Sequence, residues 1–460
     1  MKILKTLLFL AIFYGSKLES VEKKNILVFI VDDLRPELNC YGADQIVSPN
    51  IDKIAERGTL FSNAYCQIPV CGASRASIMS GVYPVEGRLV DWDSRADKDL
   101  PTITDMPSHL KNHGYYTASV GKVYHSKDEN PSSWDYLWRG QDIMVYNLDT
   151  NQAMPNLGKP AFEGCDVPDE DYTSGEIAQQ TIQTLKTLKK EEKPFFLVSG
   201  FTKPHLPFNA PKKYWDLYPI QDIQLASNDF PPKGVPKEAL HNWMELRRMY
   251  SGIPKEGPLK ESLAKKLIQG YYACVSYTDA MIGTVMEELK SLELLEDTIV
   301  VLLGDHGYQL SEHGLWCKHA LFKTSLQVPL IISHPDFEGG KKSDSMVELV
   351  DLYPTISEWG HCSPPNHRLW GKSLNKILQD SSAKVKDYIF ARYRGGDAIF
   401  DKRFAFSYWA NGSMMLYDHK NDPRENKNIA KNPEFKTLTH NLKLRISEHL
   451  SSVENLIHDN

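Results

Sequence analysis

A chain of 460 residues, 41% hydrophobic and 24% charged, carries enough apolar material for a large buried core, which excludes a disordered or fibrous protein. Its formal net charge of −6 argues against a general nucleic-acid or membrane-surface binder, so an anionic ligand would need a basic pocket built locally. The seven cysteines show neither CxxC nor zinc-site spacing.

Residues 1–20 read as an export signal: Lys2 and Lys5 form the basic end, and Leu7 to Phe13 an apolar core too short to span a membrane. No cysteine follows that core closely, so a lipid anchor is not expected. The chain is therefore expected to be exported, periplasmic or secreted. An odd number of cysteines then leaves at least one outside any disulfide, and Cys71 is the natural candidate.

Asn25–Val31 is a continuous apolar run that ends in Asp32-Asp33, the pattern of a buried parallel strand with polar groups at its C-terminal edge. Ser48-Pro49 opens a helix with Ser48 as N-cap, Ile51, Ile54 and Ala55 on one face, and Gly58 at its end. In Pro69-Val-Cys-Gly-Ala-Ser-Arg75, a helix beginning at Cys71 would put Cys71 and Arg75 one turn apart on one face, with free N–H groups beside the cysteine. A short helix over 108–112 leads to the strand 115–120 and then Gly121-Lys122-Val-Tyr-His125. Residues 126–175 lack periodicity and read as loops. A polar helix over 174–190 precedes the strand 195–199, which runs into Lys203-Pro-His205-Leu-Pro-Phe208. Residues 209–260 look irregular. A long helix over 262–295 leads to the apolar strand 298–303 and Gly304-Asp305-His306-Gly307. Val328–Ile332 is one more strand, and 348–359 a helix.

Strands alternating with helices indicate a mainly parallel α/β sheet, whose ligands gather at the C-terminal edge. From about residue 366 the texture changes to short alternating segments, 388–393, 404–409 and 414–417, with a closing helix over 432–453. These fit a small antiparallel sheet.

Asp32, Asp33, Asp305 and His306 offer three carboxylates and an imidazole at two strand ends, a donor set that suits a hard cation, Ca²⁺ or Mg²⁺. Taken singly the motifs have plainer readings: a buried cysteine in a small-residue helix, a turn at Asp-Asp, a solvated Lys122.

Together they resemble the type I sulfatases. The pattern Cys71-x-Ala73-Ser74-Arg75 resembles that family's signature, with Ala73 where Pro is usual, and Gly-Lys122-x-x-His125 resembles a second motif. The likeness is to the iduronate-2-sulfatase-like branch through Asp32–Leu38, Cys40–Gly42, Ser48–Asp52, Ser119–His125, Lys203–Phe208, Leu416–Asp418 and Asn421–Glu425.

The resemblance implies an alkaline-phosphatase-like fold, with residues 21–365 as the catalytic domain and 366–460 as a smaller antiparallel-sheet subdomain. It also implies Asp32, Asp33, Asp305 and His306 as metal ligands, and Cys71 converted to Cα-formylglycine by a formylglycine-generating enzyme or an anaerobic sulfatase maturase. Arg75, Lys122, His125 and Lys318 would hold the sulfate and the nucleophile, and His205 would stand by the leaving oxygen. His313 and His319 are expected outside the direct contacts. The implied substrate is a sulfated carbohydrate, from glycosaminoglycans or from algal polymers such as ulvan or carrageenan. Arg35, Arg88, Trp92, Arg95, Trp134, Trp138, Arg392 and Arg394 are the loop residues from which a sugar site could be drawn. A phosphonate or phosphate-ester hydrolase of the same superfamily, and a non-catalytic sulfated-glycan binder, are the alternative readings.

Overall fold

Two apolar runs, Asn25–Val31 and Thr298–Gly304, lie side by side in parallel, with Val31 opposite Gly304. Burial is complete from Ile26 to Val31 and along all of Thr298–Gly304, as in a strand covered on both faces. The computed structural model in which they are seen describes residues 23–140 and 144–454; the export signal expected over 1–20 lies outside the described residues. Among those described, nine strands build the main sheet. Phe195–Phe201, Tyr116–Gly121 and Tyr136–Trp138 extend it in parallel beyond Asn25–Val31. On the other side come Leu330–Ser333 with Gln327–Val328, then Thr59–Tyr65, then Lys341–Glu348.

The register brings strand ends level. The N–H of Asp32 donates to Phe201 O at 3.1 Å, that of Asp305 to Val31 O at 3.3 Å, and that of Lys122 to Gly200 O at 2.8 Å. Three motifs far apart in sequence thus leave the sheet at one edge.

Leu330–Ser333 runs antiparallel to both neighbours, as Gln327–Val328 does to Thr59–Tyr65, whereas the other pairings of the sheet are parallel. The chain leaving Gly304 stays at the C-terminal edge and re-enters the sheet without a crossover helix, which only an antiparallel strand can do. Thr59–Tyr65 is not legible in the sequence, because half-buried Ser62 and Asn63 interrupt its apolar run. The helix Pro49–Arg57 forms as expected, but Ser48 does not cap it. Its hydroxyl accepts from the Asn39 N–H at 3.1 Å, and the carboxylate of Asp279, in the long helix Glu261–Ser291, accepts from Asn50 N–H (3.0 Å) and Ile51 N–H (2.7 Å) instead.

The C-terminal sheet has four antiparallel strands in chain order, Ile389–Tyr393, Gly396–Phe400, Phe404–Trp409 and Met414–Asp418. The second is unread in the sequence, although Arg394 (φ 45°) and Gly395 (φ 68°) make the two-residue turn with both φ positive that closes such hairpins. Ile399, Phe406 and Leu416 pack with Leu442 and Ile446 of the helix Lys436–Glu454 as a separate apolar cluster. All seven cysteines are described and none is in a disulfide.

Candidate active site

Cys71 opens the helix Cys71–Ser80, every residue of which is buried. Extended Val70 precedes it, and no side chain caps its first turn, which leaves N–H groups for an outside acceptor. Residue 72 has to be glycine: a Cβ there would lie 2.0 Å from the carbonyl oxygen of Trp92. One turn on, Arg75 is wholly buried, and all but its Nη2 is hydrogen-bonded. Its Nε donates to Asp305 Oδ2 at 2.8 Å, and Nη1 to the carbonyls of Lys122 and, at 3.1 Å, Val123. Its Nη2 lies 3.4 Å from Asp32 Oδ1.

Ligand-type atoms of Asp32, Asp33, Cys71 and His306 all lie within 4.8 Å of one another. The Gly307 carbonyl accepts from His306 Nδ1 at 2.9 Å, which leaves Nε2 facing Cys71 Sγ at 3.2 Å and Asp33 Oδ1 at 3.4 Å. Asp32 Oδ1 is buried without a hydrogen bond. Two carboxylates and an imidazole with such an oxygen among them fit a hard divalent cation. Asp305 stands at the rim of this group. Its Oδ1 accepts from the N–H groups of Asp33 (3.1 Å) and His306 (3.0 Å) and lies 3.7 Å from His306 Nε2.

Burial and Asp32 push the Cys71 thiol up, but Lys318, Lys122 and His306 outweigh them and hold it well below the ordinary thiol range. Burial also opposes the Asp32 anion, yet Lys122, His205, Arg75 and Lys318 hold its pKa well below the usual value. At Asp33 and Asp305 burial wins, and the Asp305 pKa rises to about 7.

The remaining candidates ring this group. Lys122 Nζ donates to Asp32 Oδ2. Lys318 Nζ, almost fully buried, donates to Asp33 Oδ1 at 2.9 Å. His205 donates from Nδ1 to Leu206 O at 2.6 Å, and its Nε2 lies 2.9 Å from Glu245 Oε1 and 3.9 Å from Asp33 Oδ2. Acceptors on both nitrogens make the ring an imidazolium. Burial and Lys318 disfavour that charge, but Asp33, Asp32 and Glu245 raise its pKa to about 10. His125 has its ring edge-on to Trp92 at 5.8 Å and a buried, unpartnered Nδ1.

Glu245 is absent from the sequence reading. Its partners lie 40 and 73 positions away and the segment around it has no periodicity, so no local signal marks it. Lys203 is a second omission; it is buried and braces the loop that carries His205 by donating to the carbonyls of His205 (3.0 Å) and Pro207 (2.5 Å). His319 stacks on Tyr393 at 5.8 Å, while His313 is buried and bonded to the Arg424 carbonyl.

Several loop residues that could have bound a sugar are occupied otherwise. Arg35 is paired with Glu37 and Glu312, Arg95 with Asp97 and Asp128, and Arg392 with Asp397. Trp134 is buried and stacked on Phe196. Trp92 is different: it is 64% exposed although its carbonyl abuts Gly72 beside Cys71. A cavity of about 600 Å³ lined by Arg35, Tyr272, Lys323 and Arg424 contains none of the site residues.

Comparison with known proteins gives the family to which this chain belongs. A sulfatase profile matches residues 24–361, and a profile for the C-terminal region of N-sulphoglucosamine sulphohydrolase matches 311–452. The chain belongs to the sulfatase family and is a sulfuric ester hydrolase. Iduronate 2-sulfatase of Homo sapiens is 35% identical over 376 residues, covering 72% of this chain and 68% of that protein. Within the family the chain therefore falls in the iduronate-2-sulfatase-like branch. Among solved structures, the phosphonate monoester hydrolase from Silicibacter pomeroyi superposes with a TM-score of 0.77 at 20% identity, covering 93% of this chain and 95% of that one. A structure described as a 2-O GAG sulfatase gives 0.75 at 20% identity, covering 95% and 94%. Identities this low speak to the fold, which is alkaline-phosphatase-like α/β.

Proposed function

We propose that this sulfatase hydrolyses sulfate esters of a sulfated oligosaccharide or polysaccharide, with residue 71 as the nucleophile in its formylglycine form. The observation that carries the reading is the placement of Cys71 within 4.8 Å of Asp32, Asp33 and His306, beside the cations of Arg75, Lys122 and Lys318 that pair with those carboxylates and Asp305. The hydrate of a formylglycine aldehyde supplies an oxygen nucleophile and, after transfer, the second hydroxyl whose collapse to the aldehyde expels sulfate. Asp32, Asp33 and His306, with Asp305 beside them, would hold a divalent ion, Ca²⁺ by preference and Mg²⁺ as the alternative. Such an ion supplies positive charge that acidifies a neighbouring hydroxyl and draws in sulfuryl oxygens.

The chain's own groups do the rest. Arg75 is locked by Asp305 and two carbonyls, so it orients the start of its helix and adds fixed positive charge to the site. Lys122 and Lys318 are held on Asp32 and Asp33 and face the place where negative charge grows on the sulfuryl oxygens. His205 delivers the Nε2 proton to the leaving sugar oxygen. His125, against Trp92, orients the nucleophile and sulfate.

A carbohydrate substrate is supported by the names of the relatives, an iduronate 2-sulfatase and a 2-O GAG sulfatase. Trp92 adds to this, because a solvent-facing indole beside the nucleophile offers a sugar ring an apolar face. The enzyme is read as exported and as matured by a formylglycine-generating enzyme or an anaerobic sulfatase maturase. No helix among the described residues is long and apolar enough to cross a membrane.

Co-expression with a maturase should lower the mass of the Cys71 peptide by about 18 Da, the thiol-to-aldehyde difference. Activity on sulfated oligosaccharides should track that modified fraction. Full activity with an intact thiol would overturn the nucleophile, and faster turnover of a phosphate analogue would move the enzyme to the phosphonate and phosphate-ester hydrolases.

A further inference from the structure

Glu245 has no part in the reading above, yet its carboxylate rests on two of the groups that reading uses. Oε1 lies 2.9 Å from His205 Nε2 and 3.1 Å from Lys318 Nζ, and Oε2 lies 3.0 Å from Nζ. The short helix that carries it, Met244–Met249, is braced from outside the site. Buried Trp243 donates from its indole to Gly314 O at 3.1 Å, the Arg247 guanidinium stacks 3.7 Å above that ring, and Leu246 is buried. An anchored carboxylate of this kind is a built part of the site rather than a stray surface acid.

The positions it takes are the ones an ester needs. His205 has its Nδ1 proton committed to Leu206 O, so Nε2 is the atom from which it can reach a leaving oxygen, and Glu245 is on Nε2. Lys318 spends part of its donor capacity on Asp33 and turns the rest to Glu245. Asp33, His205 and Glu245 also lie close enough together to hold a cation, but the Lys318 ammonium already stands between Asp33 and Glu245.

We propose that Glu245 is an internal counter-anion of the sulfate pocket: it rests on His205 and Lys318 when the pocket is empty, and an arriving sulfate ester displaces it. The inference depends on the sulfatase reading of those two residues. Glu245 makes and breaks no bond in the reaction and is a positioning residue. It keeps two like-charged groups aligned in the empty site, and its return weakens the hold on product sulfate. A carboxylate and a sulfate compete for the same donors, so removing the charge while keeping the shape should tighten sulfate binding.

The test is calorimetric titration of inorganic sulfate into the matured, calcium-loaded enzyme, wild type against Glu245→Gln and Glu245→Asp. The glutamine variant should bind sulfate about tenfold more tightly, a change of about 1.4 kcal/mol. The aspartate variant, whose charge is drawn back by one methylene, should fall between. Sulfate binding that is equal or weaker in the glutamine variant, at an unchanged melting temperature, overturns the role. Should that variant fail to fold, weaker binding in the aspartate variant overturns it equally. Equal binding by all three forms refutes the counter-anion alone, whereas no sulfate binding by any of them refutes the sulfate pocket itself.

Discussion

If His205 is the acid proposed above, replacing it with alanine separates proton donation from sulfate binding, and the contacts of the two histidines give the expected difference. His205 has acceptors on both nitrogens, Leu206 O at 2.6 Å and Glu245 Oε1 at 2.9 Å, so it is charged and has a proton to give. His125 has a buried, unpartnered Nδ1 and an aromatic neighbour, and is proposed only to orient the nucleophile and sulfate. A positioned general acid contributes about 10²–10⁴-fold, or about 3–6 kcal/mol of barrier at about 1.4 kcal/mol per decade. A sugar alkoxide is a poor leaving group and needs the whole of that help, whereas a phenolate leaves as a stable anion and needs little. His205→Ala should therefore cut kcat/KM on a sugar sulfate by about 10²–10⁴-fold and on an activated aryl sulfate by less than about tenfold. His125→Ala should lower both by similar factors. The assay is kcat/KM for both variants on both substrates, with metal content and Cys71 modification matched across preparations. Equal losses for His205→Ala on the two substrates refute the acid role, and a selective loss for His125→Ala transfers it there.

Asp32→Ala, Asp33→Ala and Asp305→Ala should each lose most activity, and chelation should do the same reversibly, with Ca²⁺ restoring turnover. Unchanged rates in protein shown by elemental analysis to be metal-free contradict this. Gly72→Ala places a Cβ 2.0 Å from the Trp92 carbonyl oxygen, so the helix start or the Trp92 loop must shift. A displacement of about 1 Å costs on the order of 10²-fold, so a drop in kcat/KM of at least about tenfold is expected, and wild-type kinetics would show that the loop yields freely. Asp279 tests the buried cap of Pro49–Arg57. Burial pushes its carboxyl up to about 6 from an ordinary 3.8, so the neutral form is favoured in the folded state. That stabilisation is complete below about pH 4 and is lost as pH rises through about 6, on the order of 3 kcal/mol at 1.36 kcal/mol per pKa unit. Asp279→Asn, which keeps an acceptor for the Asn50 and Ile51 N–H groups, should flatten the pH dependence of unfolding between pH 4 and 6; an unaltered slope counts against the argument.

What could be read from the sequence follows the physics of buried parallel strands. Val31-Asp32, Gly304-Asp305 and Gly121-Lys122 each mark the point where an apolar run meets a polar residue, and parallel register brings such points to one edge. Thr59–Tyr65 escapes this rule because Ser62 and Asn63 make its middle polar. The reversed direction of Leu330–Ser333 escapes it because apolar content carries no polarity of chain direction. Gly396–Phe400 is five residues long, and its clearest mark is the turn before it, Arg394-Gly395. Glu245 lies deepest out of reach. It belongs to a stretch whose course is set by Trp243 and Arg247 packing rather than by any repeat, so its partners are fixed only by tertiary contacts.

The same contacts explain how a chain of net charge −6 can be built to take an anion. Overall charge governs encounter and solubility, but affinity at a buried site depends on what is locally uncompensated. Here Arg75, Lys122 and Lys318 are each held on a carboxylate, so none needs to be ordered when an ester arrives, and the cost of immobilising long side chains has been met in folding. Four carboxylates, Asp32, Asp33, Asp305 and Glu245, equal in number those three cations and the His205 imidazolium. A divalent ion held by Asp32, Asp33 and His306 would tip that balance positive, and displacement of Glu245 would tip it further at the moment the sulfate enters. The pocket would then be strongly attractive to an anion while it is being filled and only weakly so when empty, and a hydrolase that must release sulfate after each turnover needs both states.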